Sequence, residues 1–402
     1  MLLFFLTPHP EELFGGAIAR YHRRQGPRPY GLTAKELMGS ESAVVQNLFP
    51  GNIDYLCAQL HPQSLLTPIK LIADHTLYPM YRPFLNAERA KSGLKYMRNS
   101  ESLDLPMDRR APGPLRFSLL AGCTFKYCPE CYLEDAREWG EAYWHRDHQH
   151  FGVLTCHKHD VMLIDTGLPL APSQGKREFY LLDREYPAKS AARKFSPEEM
   201  SHLRYITESV HWLLNNTVPD NSMEILRYNY SRLVIEKGYA HASSIMSHSK
   251  VSGAFASYYG SGFLELMSCG LPDATDKNWL VRLLKKKDVV TDPLRHLLAI
   301  RFLGEDVKDI LLFPRAERNP LSEMILKKES VRLELKKELK CRFCSWSTAK
   351  VFRDRNGRLN GIDNAHERIR DHVESNHPVA FRKILQDQAN SIGVCDMNME
   401  WQ

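Results

Sequence analysis

No apolar run in this chain approaches the roughly 20 residues that a helix needs to cross a bilayer. The apolar start, Met1 to Leu6, is ended at once by Pro8, Glu11 and Glu12. That run is too short for a signal-peptide core. No membrane partner is therefore expected. The sequence also lacks a cluster of carboxylates of the kind that holds catalytic magnesium. Nor does it place a Cys-x-x-Cys pair in the strand-to-helix setting of a thiol oxidoreductase. Charge of one sign is not extreme: the net charge is +6, which makes an anionic partner plausible and no more. The apolar fraction of 43% and charged fraction of 25% are ordinary for a globular protein. At 402 residues the chain is long enough for two or three domains.

What is present is cysteine in an unusual distribution. Six of the nine cysteines lie in or beside Cys-x-x-Cys or Cys-x-x-His clusters, if Cys123 is included. This usage points to metal ligation in a reducing cytosol and away from a secreted disulfide framework. Cys128-x-x-Cys131 is followed, after 24 residues, by Cys156-x-x-His159. Two knuckles of two soft ligands each meet the needs of a tetrahedral structural zinc site. Four protein ligands leave no position for a reactive water, so this site is expected to hold shape and perform no chemistry. Cys123, His145, His148, His150 and His157 are nearby spares. His157 adjoins Cys156, and adjacent residues rarely share a metal, so His159 is the better fourth ligand.

The amino-terminal part has a helical pattern. Leu13, Phe14, Ala17, Ile18 and Tyr21 form an apolar stripe over Pro10–Arg24, with Arg20, Arg23 and Arg24 toward the end where cations suit the helix dipole. Short helices are expected over Thr33–Met38, Ser42–Phe49 and Ile53–Gln59, with Thr33 and Ser42 as N-caps. Leu66–Asp74 and Thr76–Phe84 continue this helical region, and a polar, Pro-rich link covers Asn99–Pro114. Phe117–Ala121 is a strand or short helix leading to the knuckles. Glu134–Trp139 is helical and stops at Gly140. Val153–Leu154 and Val161–Ile164 are two short strands with Cys156 and His159 at the turn. The fold class expected is mainly α and multidomain: short, helix-turn-helix-like units with small zinc-knuckle β-hairpins.

The run from Arg116 to Leu163 resembles the zinc-binding core of the TniQ/TnsD family of transposon target-selection proteins. Its features are Cys128, Pro129, Cys131, Asp135, Gly140, Glu141, Tyr143, Trp144, Arg146, Cys156 and His159. Pro10-Glu11-Glu12-Leu13 followed by Ala19-Arg20-Tyr21 is similar to the family's opening helix. His75-Thr76-Leu77-Tyr78-Pro79 and Tyr81-x-Pro83-Phe84 resemble the TnsD subgroup. Residues 8–165 carry this resemblance most strongly. It implies a bacterial, cytoplasmic, nucleoid-associated protein. In it Tyr143, Trp144 and Arg146 pack the domain or meet an ATPase partner.

Beyond the knuckles the pattern is almost all helix. Ser196-Pro197-Glu198-Glu199 is a capping box with Pro at the first helical position. Leu203, Ile206, Val210, Leu213 and Leu214 follow as an apolar stripe. Further helices are expected over Leu226–Glu236, Ser247–Tyr259 and Phe263–Met267, then from Trp279 to Lys287 and from Pro293 to Phe302. The order is similar to the DNA-binding region of TnsD-like members. Arg282, Lys285, Lys286, Lys287 and Arg295 are the candidates for phosphate contact there. The bland reading, a solvated helix face, stands beside this one. His296 lies in an apolar stripe and is expected to be a satisfied core residue.

The last region opens with a charged helix over Leu326–Lys340. Cys341-x-x-Cys344 then begins a second candidate zinc site, completed by His372 and His377 on a helix that starts near Asp363 or Asn364. Arg355-Asn356-Gly357-Arg358 is a turn signal between strands near Ala349–Phe352 and Leu359. A hairpin before a helix, with two cysteines and two histidines, follows the logic of a zinc finger. The 27 residues between Cys344 and His372 exceed the usual spacing of about 12 in nucleic-acid fingers. His366 competes for one of the histidine places. Lys327–Arg358 contains eleven basic residues against four acidic ones. Lys350, Arg353, Arg355 and Arg358, with Arg368 and Arg370 on the helix, are the candidate DNA contacts. Three domains are thus expected: 1–168, 169–325 and 326–402.

The resemblance implies a protein that binds a double-stranded DNA attachment site. It recruits a TnsC-like AAA+ ATPase regulator, which brings the transposase, and it carries two structural zinc ions. Shorter family members instead couple that ATPase to an RNA-guided CRISPR effector complex without reading DNA sequence, and this is the alternative. A zinc-dependent nuclease built on Asn364, His366 and Cys341/Cys344 is disfavoured, because closed Cys/His quartets leave no open metal position. The chain is therefore not expected to be an enzyme.

Overall fold

The structure is a computed structural model. It describes residues 2–99, 123–171, 177–189, 193–219, 222–240, 246–271, 278–285, 291–312, 341, 343–345 and 372–380. The chain divides into two compact units, one comprising Met1–Tyr239 and Met246–Ala316, the other residues 240–245 and 317–402.

The first unit is helical. Helix α1 (Phe14–Arg24) buries Phe14, Ala17, Ile18 and Tyr21, the stripe its sequence spacing predicts. It starts four residues later than Pro10. Glu11 adopts a positive φ of 56°, and the Leu13 amide donates to Trp144 O at 2.7 Å. Residues 10–13 therefore pair with the chain near Trp144, including a bridge between Glu12 and His145, and cannot continue a helix. Helices α2 (Tyr30–Met38), α3 (Ile53–Gln59), α4 (Pro68–His75), α5 (Tyr78–Tyr81) and α6 (Ala87–Arg98) follow. Thr67 and Asn86 cap α4 and α6 by accepting the amides of Lys70 and Arg89. Helix α6 lies in a stretch with no strong sequence signal.

The expected helix over Ser42–Phe49 does not form. Its apolar residues Val45, Leu48 and Phe49 are buried, but its polar groups have tertiary partners. The Val45 amide donates to Tyr30 Oη at 2.9 Å, and Asn47 Nδ2 donates to Leu170 O. These bonds replace the ladder a helix would have supplied.

Strand β1 (Thr124–Tyr127) pairs antiparallel with β2 (Ile164–Pro169), with Lys126 opposite Asp165 and Tyr127 opposite Ile164. Between them lie helix α7 (Pro129–Trp139) and the turn that carries Cys156 and His159. Helix α7 begins directly at the first knuckle, earlier than Glu134, and ends at Gly140 with φ of 76°. That left-handed position favours glycine. The expected strands around the second knuckle are reduced to one bridge, Thr155 to Met162, and a hydrogen-bonded turn.

Helices α8 (Pro197–Asn215), α9 (Ser222–Glu236), α10 (His248–Tyr259), α11 (Ser261–Leu266), α12 (Trp279–Lys285), α13 (Pro293–Phe302) and α14 (Val307–Leu312) complete the first unit. The capping box at Ser196 and Glu199 is present in both directions. Helix α8 packs against α5, α13 and the turn at Arg146–His148. His296 is a buried core residue as expected, but it is satisfied at one nitrogen: Nδ1 is 3.0 Å from Tyr230 Oη, while Nε2 has no hydrogen-bond partner among the described residues. No helix among the described residues is long and apolar enough to cross a membrane.

In the second unit the described residues comprise 341, 343–345 and 372–380, of which 372–376 and 378–380 are helical. The link and lead-in over Asn99–Ala121 (Asn99 itself excepted), the charged helix Leu326–Lys340 and the hairpin over 349–359 fall outside the described residues. So does the helix start near Asp363.

Candidate functional site

The first knuckle is held by a helix start. Cys128 occupies the N-cap of α7, and Cys131 follows on its first turn. The second knuckle is a tight reversal. The Cys156 amide donates to Val161 O at 2.8 Å and the Asp160 amide returns to Cys156 O at 2.9 Å. The three cysteines are buried, with Val161 and Leu163 packed against them.

These two turns bring Cys128, Cys131, Cys156 and His159 together, as the sequence spacing predicts. Cys131 Sγ is 3.7 Å from Cys156 Sγ, and His159 Nδ1 is 3.4 Å from both Cys128 Sγ and Cys131 Sγ. A tetrahedral ion with bonds near 2.3 Å sets its sulfur ligands about 3.8 Å apart. The donor set and its edges therefore fit a metal ion. Hydrogen bonds from Cys131 and Cys156 lower the Cys128 thiol's pKa while the same contacts raise that of Cys131, so the clustered thiols share their protons unequally. His159 Nε2 lies 3.2 Å from Glu134 Oε2, so the carboxylate holds the ring with Nδ1 toward the sulfurs. His157 faces away, its Nδ1 at 2.7 Å from Asp147 Oδ2.

Cys341, Cys344, His372 and His377 also converge, with their ligand atoms within 4.8 Å of one another. Cys344 Sγ is 3.2 Å from His372 Nε2. His377 Nε2 is buried without a hydrogen-bond partner among the described residues, as suits a ligand nitrogen. His366 lies outside the described residues.

The residues between the knuckles join them to the rest of the unit. Glu141 pairs with Arg20 at 3.0 Å and Arg24 at 3.3 Å, tying the zinc-knuckle segment to α1. Asp135 Oδ2 is 2.9 Å from His145 Nε2, and this carboxylate raises the imidazole's proton affinity although burial opposes it. Tyr143 Oη donates to Pro10 O at 3.1 Å, and Trp144 Nε1 donates to Tyr180 O at 2.8 Å. Arg146 is 2% exposed. Its Nη1 donates to Ala73 O near the end of α4. Its Nη2 donates to Leu214 O and Asn215 Oδ1, both at 3.1 Å, at the end of α8. One guanidinium thus serves the carboxyl ends of two helices, where cations are favoured. Tyr143, Trp144 and Arg146 are packing residues of this unit.

Arg282 and Lys285 are exposed in the last turn of α12, and Lys285 Nζ contacts His248 Nε2 at the start of α10. Arg295 is half-buried, its guanidinium 5.3 Å from the Trp279 ring centroid and its Nη1 3.3 Å from Thr291 Oγ1. Lys286, Lys287, Lys350, Arg353, Arg355, Arg358, Arg368 and Arg370 fall outside the described residues.

Two groups were not anticipated from the sequence. Arg204 on α8 meets the Asp160 carboxylate with its Nε at 2.7 and 2.9 Å, fastening the second knuckle to α8. Asp292 accepts from Tyr81 Oη at 3.1 Å and faces His150 Nε2, also at 3.1 Å. The Asp292-Pro293 pair is a legible helix start, and its carboxylate does cap the Leu294 amide. Its two distant partners leave no local signal.

Comparison with known proteins follows the same division. A TniQ family model matches residues 3–163. A model described as Tn7-like transposition protein D, TnsD, matches residues 206–323. The transposon Tn7 transposition protein TnsD of Escherichia coli is 23% identical over 302 residues, which is 73% of this chain and 56% of that protein. The chain thus spans little more than half the length of the relative it matches. With the knuckle region inside one match and the helical region inside the other, the chain belongs to the TniQ/TnsD family of transposition target-selection proteins.

Proposed function

We propose that this chain is a DNA-binding target selector: it recognises an attachment site in double-stranded DNA and recruits a TnsC-like AAA+ regulator and the transposase. The observation that carries this reading is the TnsD-model match over residues 206–323, from the middle of α8 onward, with α8 to α14 joined in one unit to the TniQ-matched core. The sequence features support it: a basic stretch over 327–358 and the exposed Arg282 and Lys285. Lysine and arginine at such positions neutralise phosphates and release condensed counterions, which gives binding energy without sequence information. Sequence would then be read by other side chains in a groove.

Zinc is the metal that best suits both quartets, being d10, borderline soft and content with tetrahedral thiolate and imidazole ligands. Bound there, it supplies rigid cross-links and no catalysis, since four protein ligands close its coordination sphere. Cys128 and Cys131 fix the start of α7, while Cys156 and His159 fix the turn that Arg204 holds to α8. We assign no enzymatic role to this chain and propose three domains, 1–168, 169–325 and 326–402.

The test is competition binding with fragments of the host genome at physiological salt. One fragment should be retained against a large excess of random DNA, and Arg282→Ala with Lys285→Ala should weaken binding to all sequences and flatten the salt dependence. Retention of no fragment over random DNA would favour the other use of the family fold. That use is an adaptor between the AAA+ regulator and an RNA-guided CRISPR effector complex.

A further inference from the structure

We propose that Asp147, His157 and His211 form a third metal site, for a borderline divalent cation such as nickel or zinc. In this site the ion clamps helix α8 to the knuckle core. The three ligand atoms already lie within 4.8 Å of one another. His157 Nδ1 is 2.7 Å and His211 Nδ1 3.4 Å from the same oxygen, Asp147 Oδ2. The two imidazoles are stacked, with centroids 3.7 Å apart and planes 16° from parallel, so both Nδ1 edges face the carboxylate.

The surroundings favour a cation. Asp147 is 3% exposed, and its Oδ1 is buried without a hydrogen-bond partner among the described residues. His148 Nε2 stands 3.8 Å from that oxygen. A second carboxylate, Glu11 Oε2, approaches His211 Nδ1 to 3.8 Å. Glu11 is held there by a backbone with φ of 56°, a conformation that a non-glycine residue rarely adopts. Two imidazoles and one or two carboxylates are a nitrogen–oxygen donor set, suited to zinc, nickel or manganese and distinct from the thiolate quartets.

Bonds of about 2.1 Å to an ion place ligand atoms roughly 3–4 Å apart, so binding needs a small opening of the His157–Asp147 contact. His211 is one-third exposed, and its ring must tilt off His157 and exchange the 3.3 Å contact between Nδ1 and Asn215 Nδ2 for the ion to aim its lone pair. The site joins residues from the two family matches, since Asp147 and His157 fall in 3–163 and His211 in 206–323. An ion there would add a coordination cross-link to the contacts that already join α8 to the knuckle core, Arg146 with Leu214 and Asn215 and Arg204 with Asp160. The proposal does not depend on what the protein binds.

The test is nickel titration of the full zinc-loaded chain, followed by calorimetry and by absorption. One nickel ion should bind without the sulfur-to-metal charge-transfer band that marks thiolate ligation. His211→Ala should weaken that binding on the order of tenfold or more, with zinc content and circular dichroism unchanged. Anomalous diffraction from the unsubstituted chain at the nickel edge gives an independent reading. A peak between Asp147, His157 and His211 supports the site whether or not the variant folds. No additional ion, a nickel peak elsewhere, or equal affinity in His211→Ala would overturn it.

Discussion

Tyr81 donates its hydroxyl to Asp292 at 3.1 Å, across 211 positions of sequence. Asp292 also faces His150 and caps α13, so one buried carboxylate ties the TniQ-matched core to the TnsD-matched helices. The two partners should respond unequally to substitution. Tyr81→Phe removes one donor and should destabilise the chain by about 1 kcal/mol. Asp292→Ala strands a tyrosine, a histidine and a helix start, and should cost about 3 kcal/mol or more by chemical denaturation. Equal effects would show that the carboxylate is not the hub of this cluster.

Arg146 predicts a larger loss. Arg146→Met keeps much of the volume but leaves carbonyls at the ends of α4 and α8 without their donor. Each stranded buried acceptor costs about 1–3 kcal/mol, so a sharp fall in the denaturation midpoint is expected. A midpoint unchanged from the parent would mean that water replaces the guanidinium.

Metal removal should separate the two quartets. Cys156→Ser should lose one zinc ion and unfold the first unit, because a structural zinc contributes on the order of 10 kcal/mol to folding. Cys344→Ser should lose the other ion and leave the melting of the first unit intact, while weakening DNA binding. Metal analysis with differential scanning calorimetry checks both. A soluble Cys156→Ser protein with its full zinc content would remove the first quartet from the reading.

His296 gives a pH prediction. Burial lowers its pKa from 6.5 to about 3, so the folded state holds it neutral. The unfolded chain takes up the proton first as pH falls, so stability is full above 6.5 and declines below it, until about pH 3. The slope for this one group is about 1.4 kcal/mol per pH unit. His296→Phe loses the bond to Tyr230 but should flatten the stability profile between pH 6 and pH 4, by roughly that slope. Parallel profiles for parent and variant would contradict the assignment.

Much of this arrangement was legible locally. The capping box at Ser196 and Glu199, the span of α3 and the convergence of the first quartet all rest on signals a few residues long. The Ser42–Phe49 segment misleads because its apolar spacing suits a helix while its amide at Val45 is taken by Tyr30 from another element. The role of Arg146 is invisible in sequence because its acceptors lie about 70 residues away on either side. His159 could be preferred over His157 by adjacency alone, but the carboxylate of Glu134 that orients it emerges only from the α7 packing.

Sequencing insertion junctions from a reconstituted transposition reaction, with this chain supplied or withheld, tests target selection most directly. With the chain, insertions should gather at one spacing beside one attachment sequence, and a plasmid lacking that sequence should receive few. Insertions scattered equally in both reactions would contradict it.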